Sequence, residues 1–126
     1  MISYSALAAT LSTNVVELKF SRRRPKSNLP SHRRMLCTLD YTLLNSERGI
    51  SMLNYKPAAQ SKQYNPASKG LIVVWDLLKQ DWRMVNTESC NIISTIPTSP
   101  SEEFWNYFNT SILPLTSTQK ESFINA

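Results

Sequence analysis

The fold of this chain is decided by the stretch LIVVWD at residues 71–76. Five of its six residues are apolar and three are β-branched, which is typical of a strand buried on both faces. The segment LLKQD at 77–81 predicts a turn, and WRMVNT at 82–87 predicts the returning strand. Together the three segments predict an antiparallel hairpin.

Three further segments have the pattern of strands. VVELKF at 15–20 alternates apolar and polar residues, RRMLCTL at 33–39 resumes a strand, and CNIISTI at 90–96 follows the first hairpin. A loop with two prolines at 21–32 joins the first two, which predicts a second antiparallel hairpin with a long tip. Short strands joined as hairpins favour a mainly β fold, a small barrel of antiparallel strands, and 126 residues fit a single domain.

Helices are predicted near the two ends of the sequence. Alanine-rich residues 3–12 predict a short N-terminal helix, and SPSE at 99–102 has the pattern of a capping box with proline at the first helical position. The capping box predicts a second helix over about 100–109. The polar tail at 116–126 is predicted to fray.

Residues 40–69 have the weakest pattern of the chain. They are predicted to form an extended, partly mobile connection, whose polar, proline-bearing part lies at 54–69. Thirty residues without an element are unusual in a compact domain, and a short strand at 50–53 would shorten that gap.

Composition excludes several classes of function. Gly49 and Gly70 are the only glycines, so no glycine-rich phosphate loop can be drawn and no nucleotide cofactor is expected. The longest apolar run is far shorter than a membrane span, and the first residues lack the basic region of a secretory signal. Cys37 and Cys90 lie on predicted strands and are expected to be reduced core thiols, which favours a cytoplasmic location.

Positive charge is concentrated in one loop. Between residues 19 and 69 there are eleven Lys or Arg and two acidic residues, whereas from residue 71 onward acidic residues outnumber basic ones. Six of the thirteen residues from 22 to 34 are basic and none is acidic; the six are Arg22, Arg23, Arg24, Lys26, Arg33 and Arg34. Side chains at this density neutralise phosphates and release counterions, so the loop is predicted to bind nucleic acid.

Two residues of the basic half extend the predicted interface. Tyr41 is a candidate for stacking on bases, and Lys56 adds positive charge. No helix-turn-helix or zinc finger is present, which favours RNA or single-stranded DNA over a specific duplex sequence. Two alternatives stay open for the loop: an acidic host protein as partner, or a solvated loop that keeps the chain soluble.

Catalysis has little support in this sequence. His32 is the single histidine and has no carboxylate near it in sequence to orient it, and two cysteines with one histidine are too few for a metal site. We therefore expect a binding protein without catalytic residues or a bound metal. A nuclease centred on Asp40, Asp76 and Asp81 remains an alternative, because metal sites assemble in space.

Two blocks of the sequence are similar to a known family. The first block consists of VELKF (16–20) and RMLCTL (34–39). The second consists of LIVVWDL (71–77) and WRMVNTES (82–89). Together they resemble the small phage family of WYL-like domains, whose members have an Sm-like, SH3-type barrel. The resemblance covers about residues 15–96.

The resemblance implies a phage protein that acts in the host cytoplasm, with short terminal helices around the barrel. It also implies a ligand site at Asp76 and Arg83, for which a structural ion pair or a cap on the hairpin is the alternative. Barrels of this type often assemble through exposed strand edges, so a homo-oligomer is an expectation as well. The chain departs from the family where the long basic loop replaces a tight Asp-Gly turn and where Asp81 replaces a glycine.

Overall fold

The computed structural model describes residues 2–22, 28–57 and 70–126. Five strands in this part of the chain form one antiparallel sheet with the order β4-β3-β2-β1-β5. The strands are β1 (Asn14–Ser21), β2 (His32–Thr38), β3 (Leu71–Asp76), β4 (Asp81–Asn86) and β5 (Cys90–Pro97). The mainly β class and the two predicted hairpins, β1–β2 and β3–β4, are thereby confirmed.

Five α-helices surround the sheet. They are α1 (Tyr4–Leu11), α2 (Tyr41–Leu44), α3 (Glu47–Met52), α4 (Ser101–Tyr107) and α5 (Ser117–Ile124). A π-helical segment, Phe108–Ile112, continues α4, and a 3-10 turn, Thr87–Ser89, joins β4 to β5. None of the helices in the described residues is long and apolar enough to cross a membrane.

The sheet is buried on both of its faces. On the inner face, side chains from all five strands pack against Leu7 and Leu11 of α1. On the outer face, Val15, Leu36 and Trp75 pack against apolar residues of the other helices, among them Phe104, Trp105, Phe108, Ile112 and Ile124. This arrangement explains why residues 71–75 of β3 are all apolar, because Trp75 enters the outer core while Ile72 and Val74 enter the inner core.

The sheet curls so that its two edge strands approach each other. Thr87–Ser89 alone separates β4 from β5, so Asn86 and Cys90 lie within about 14 Å even though these strands stand at opposite edges. Val85 and Cys90 accordingly share the inner core. Within the described residues β4 and β5 do not pair, and the sheet is open rather than closed into a barrel.

The prediction for residues 40–53 was wrong, because α2 and α3 occupy this segment in place of an extended connection. Asp40 and Ser46 cap the two helices through side-chain oxygens that accept from backbone N–H groups. Gly49 allows α3 to approach α2, since a Cβ at this position would lie 2.2 Å from the carbonyl oxygen of Leu43. Burial of Leu43 and Leu44 stabilises helices too short to form alone.

The helix predicted over about 100–109 is confirmed as α4, but its predicted capping box and the predicted frayed tail were wrong. Pro100 is the N-cap residue of α4 without a side-chain capping bond, so the capping box at 99–102 does not form. The tail is helical rather than frayed: Thr116 and Gln119 form a reciprocal capping box that opens α5, and Ile124 is buried.

Cys37 and Cys90 are buried and unbonded, in agreement with the prediction of reduced core thiols. They pair with Val16 and Phe20 on opposite sides of β1, four residues apart along that strand. Four residues of a strand span about 13 Å, well beyond the reach of a disulfide. Burial raises the pKa of the Cys37 thiol well above its ordinary value, and the nearby Asp76 carboxylate raises it further.

Candidate functional site

Arg22 closes the base of the basic loop. Its backbone N–H donates to the carbonyl oxygen of Ser31 at 2.8 Å, and its Nε donates to that of Pro30 at 2.9 Å. Its terminal nitrogen donates to the side-chain oxygen of Asn125, just beyond α5. The other predicted contacts at the tip, Arg23, Arg24 and Lys26, lie outside the described residues.

Arg33 points to the inner face, where its charge is neutralised within the protein. Its guanidinium lies 2.5 Å from the carboxylate of Asp76, and only 12% of the Arg33 side chain is exposed. Burial lowers the pKa of Arg33. The negative charge of Asp76 raises this pKa, whereas the positive charges of Arg83 and Arg22 lower it further. The charge of Arg33 is therefore paired inside the protein, and little of it is presented to a partner.

Arg34 points to the outer face and is also paired. Its guanidinium lies 2.5 Å from the carboxylate of Glu17 and 4.5 Å from the centre of the Phe123 ring, a cation–π distance. Its side chain remains 29% exposed. Among the predicted cations that the structure describes, Arg33 and Arg34 are each paired with an acidic side chain of the protein itself. The sequence pattern did not predict these two pairs.

Helix α5 covers part of the basic surface. Besides Phe123 on Arg34 and Asn125 on Arg22, the Glu121 carboxylate pairs with Lys79 at 2.5 Å. The hydrogen bond from Lys79 and its charge lower the pKa of Glu121, and the charges of Arg33 and Arg22 contribute. The only sequence signal for this helix is the spacing of Thr116 and Gln119, which matches a capping box.

Asp76 and Arg83, the predicted ligand site, have separate structural partners. One oxygen of Asp76 accepts from the backbone N–H groups of Leu78 and Lys79 at 2.9 and 3.0 Å, which caps the β3–β4 turn. The other oxygen binds Arg33. Arg83 pairs with Asp81 at 3.1 Å. The alternative interpretation, an ion pair or a hairpin cap, is thus observed for Asp76, although its ionic partner is Arg33 and not Arg83.

Tyr41 and Lys56 lie beside an aromatic cluster of the outer face. Tyr55, Trp75 and Trp82 contact one another edge to face with centroid distances of 5.3 to 5.8 Å. The Trp82 indole N–H donates to the carbonyl oxygen of Lys56 at 2.8 Å. Tyr41 is 52% exposed, and its charged form would raise the pKa of Tyr55, which burial has already raised.

These groups form one continuous band of charge. The Lys56 charge helps to lower the pKa of Asp81, after the larger effects of the Trp82 N–H and the Arg83 side chain. Asp81 binds Arg83, and Arg83 in turn lies near Arg33. The band links Lys56, beside the aromatic cluster, to Arg33 near the start of β2. Tyr41 follows the opposite end of β2, about 20 Å along the strand from His32, so the structure does not place it at the hairpin tip.

A cleft of about 580 Å³ lies elsewhere, between the α2–α3 turn and the start of α4. Three carboxylates and one guanidinium line it, and Arg48 pairs with Glu102 at 3.5 Å. The residues with charge are Asp40, Glu47, Arg48 and Glu102. Net negative charge disfavours phosphate binding there, and none of the predicted binding residues lines the cleft.

The described residues contain no group of three or more His, Cys, Asp or Glu side chains that could hold a metal ion. The three aspartates of the nuclease alternative are each engaged: Asp40 accepts from Thr98, Asp76 binds Arg33 and Asp81 binds Arg83.

Comparison with known proteins gives no match to a protein-family model, to a curated protein or to a solved structure. Functional inference therefore depends on the residues of this chain, and the resemblance to WYL-like domains remains a prediction.

Proposed function

We propose that this chain is a non-catalytic protein that binds RNA or single-stranded DNA through the tip of its β1–β2 hairpin. The observation that carries the proposal is the run of basic residues from 22 to 26, which has no acidic residue within it. Arg22 anchors the base of the tip to Pro30 and Ser31. Phosphate contacts are assigned to Arg22, Arg23, Arg24 and Lys26, because Arg33 and Arg34 already have carboxylate partners.

The band of charge and aromatic rings supports a single strand as the preferred ligand. Bases of a single strand can stack on exposed rings, and Tyr41 is half exposed beside Lys56. We assign to these residues nucleotides further along the same strand, because Tyr41 follows the end of β2 that is opposite to the hairpin tip.

The sheet supports an SH3- or Sm-like barrel as the finer description of the fold. Its four-strand meander, with β5 returning to β1, needs only pairing between β4 and β5 to close. With the resemblance to WYL-like domains, this makes a phage accessory protein of the host cytoplasm our proposal for the origin of the chain.

An acidic host protein is the second candidate partner. The specific observation in its favour is that an acidic helical side chain, Glu121 of α5, already binds Lys79 beside the hairpin. A helix of a partner with similarly placed carboxylates would fit the same surface.

The test is a salt series of binding to labelled single-stranded RNA, single-stranded DNA and duplex DNA. Four phosphate contacts predict a slope of about −3 in log affinity against log salt for a single strand. R23A/R24A should reduce the slope to about −1.4, and R48A/K62A is the matched control for loss of two charges outside the assigned contacts. Absence of binding to every nucleic acid at low salt would instead favour the acidic protein.

A further inference from the structure

Helix α5 combines a small apolar anchor with contacts to three cations of the basic surface. Of its eight residues only Ile124 is buried, and Phe123 is partly buried against the outer core. The Phe123 ring also contacts Arg34, Glu121 pairs with Lys79, and Asn125 at the end of the helix accepts from Arg22. A helix at this position therefore occupies three positively charged groups at once.

Glu121 takes the place that an anionic ligand would take. Its carboxylate lies 2.5 Å from the Lys79 ammonium, and Arg33 and Arg22 are close enough to act on it. The lowered pKa of Glu121 keeps this carboxylate ionised. The side chain neutralises positive charge that would otherwise attract a phosphate.

The attachment of α5 is weak compared with that of the strands below it. Lys79 and Glu121 are 38% and 53% exposed, and pairs between exposed charges contribute little to stability. By contrast, β1 and β2 are paired at seven positions and carry buried side chains of both cores. An element with few buried contacts opens at a lower free energy than the core.

We propose that α5 is a displaceable cover on the nucleic-acid surface: a bound single strand takes the place of Glu121 and Asn125 on Lys79 and Arg22, and α5 is released. This inference rests on the proposed function and extends its interface to Lys79 and to the exposed face of Arg34. It predicts that the free chain binds a single strand more weakly than the same surface would without α5 on it, because α5 must first be displaced.

The first experiment weakens the cover without touching its apolar anchors. E121Q/N125A removes both polar contacts and leaves Phe123 and Ile124 in place. The matched control is E103Q/N106A on α4, which makes the same changes of charge and size at two exposed residues. At equal salt, E121Q/N125A should bind a 20-nucleotide single-stranded RNA about fivefold more tightly than the control, the lower end of typical coupling between linked equilibria.

Equal affinity of the two variants would overturn the cover while leaving the proposed function intact. Absence of RNA binding by E121Q/N125A at low salt would overturn both, because the uncovered surface would then have no affinity for a strand.

The second experiment uses the unmodified chain and amide hydrogen exchange. Addition of the same RNA should accelerate exchange at 117–125, since the helix is released, and should leave exchange of β1 and β2 unchanged or slower. Unchanged or stronger protection of α5 in the RNA-bound chain would contradict its displacement.

Discussion

The inner core and the basic hairpin of this molecule are held together in opposite ways. The inner core consists of fully buried apolar side chains from every strand and α1. Helix α5 is joined to the hairpin by the Phe123 ring on Arg34 and a hydrogen bond from Arg22 to Asn125, and to the β3–β4 turn by the pair of Lys79 with Glu121. Its one buried residue is Ile124. The difference suggests a stable scaffold with a surface that can rearrange, because polar contacts at the surface contribute little to stability.

The largest expected effect is in the core beneath the aromatic cluster. Trp75 is 1% exposed, and its indole N–H donates to the carbonyl oxygen of Leu53 at 3.2 Å. W75A should lower the free energy of unfolding by about 4 kcal/mol, measured by urea denaturation, because it leaves a large cavity. A loss below about 1 kcal/mol would mean that the outer core is not close-packed.

A slightly smaller loss is expected from the buried ion pair that connects the regions. D76A leaves the guanidinium of Arg33 without its carboxylate and uncaps the β3–β4 turn, which should cost about 3 kcal/mol in urea denaturation. The double variant R33M/D76A removes the unpaired charge and should recover part of that loss. If the double variant is less stable than D76A, the pair is not the reason for the effect.

Gly49 tests a contact between helices at the edge of the outer core. A methyl group at this position would lie 2.2 Å from the Leu43 carbonyl oxygen, so G49A should destabilise the fold by about 2 kcal/mol through overpacking. On helix propensity alone, alanine would instead stabilise α3. A rise in the urea midpoint would show that α2 and α3 can separate at no cost.

The smallest effect is expected at the exposed pair of α5. The pKa of Glu121 is lowered in the folded chain, so its contribution to stability is present above its ordinary value of 4.5 and is lost as the pH falls through the folded value. Between pH 7 and pH 3 the urea midpoint should therefore fall slightly less for E121Q than for the unmodified chain. An identical fall in both would mean that the contact with Lys79 is not made in solution.

The strands were predictable because each one has an apolar pattern of its own. Alternation in 15–20 and the apolar run at 71–76 placed β1 and β3 to within one residue. Helices α2 and α3 are too short for a helical pattern to repeat, and burial against the outer face stabilises them. That burial depends on residues far away in the sequence, so local patterns could not reveal it.

The charge of the candidate site was predictable only in part. The density of arginine residues identified the β1–β2 hairpin as the basic one. The carboxylate partners of Arg33 and Arg34, however, are 43 and 17 residues away from them in the sequence. The register of the sheet brings each arginine close to its carboxylate partner. That register cannot be predicted from the spacing of residues in the sequence. The contact of α5 was not predictable from composition, because the polar residues at 116–126 indicate a frayed tail, and the spacing of Thr116 and Gln119 is the one signal of a helix there.

The most direct test of the central claim is the affinity of the chain for labelled single-stranded RNA across a salt series, with R23A/R24A and R48A/K62A measured in parallel. We predict micromolar or tighter binding at low salt, a slope near −3 for the intact chain and the control, and a slope near −1.4 for R23A/R24A. Binding that is insensitive to salt, or equal slopes for the two variants, would contradict a nucleic-acid surface at the hairpin tip.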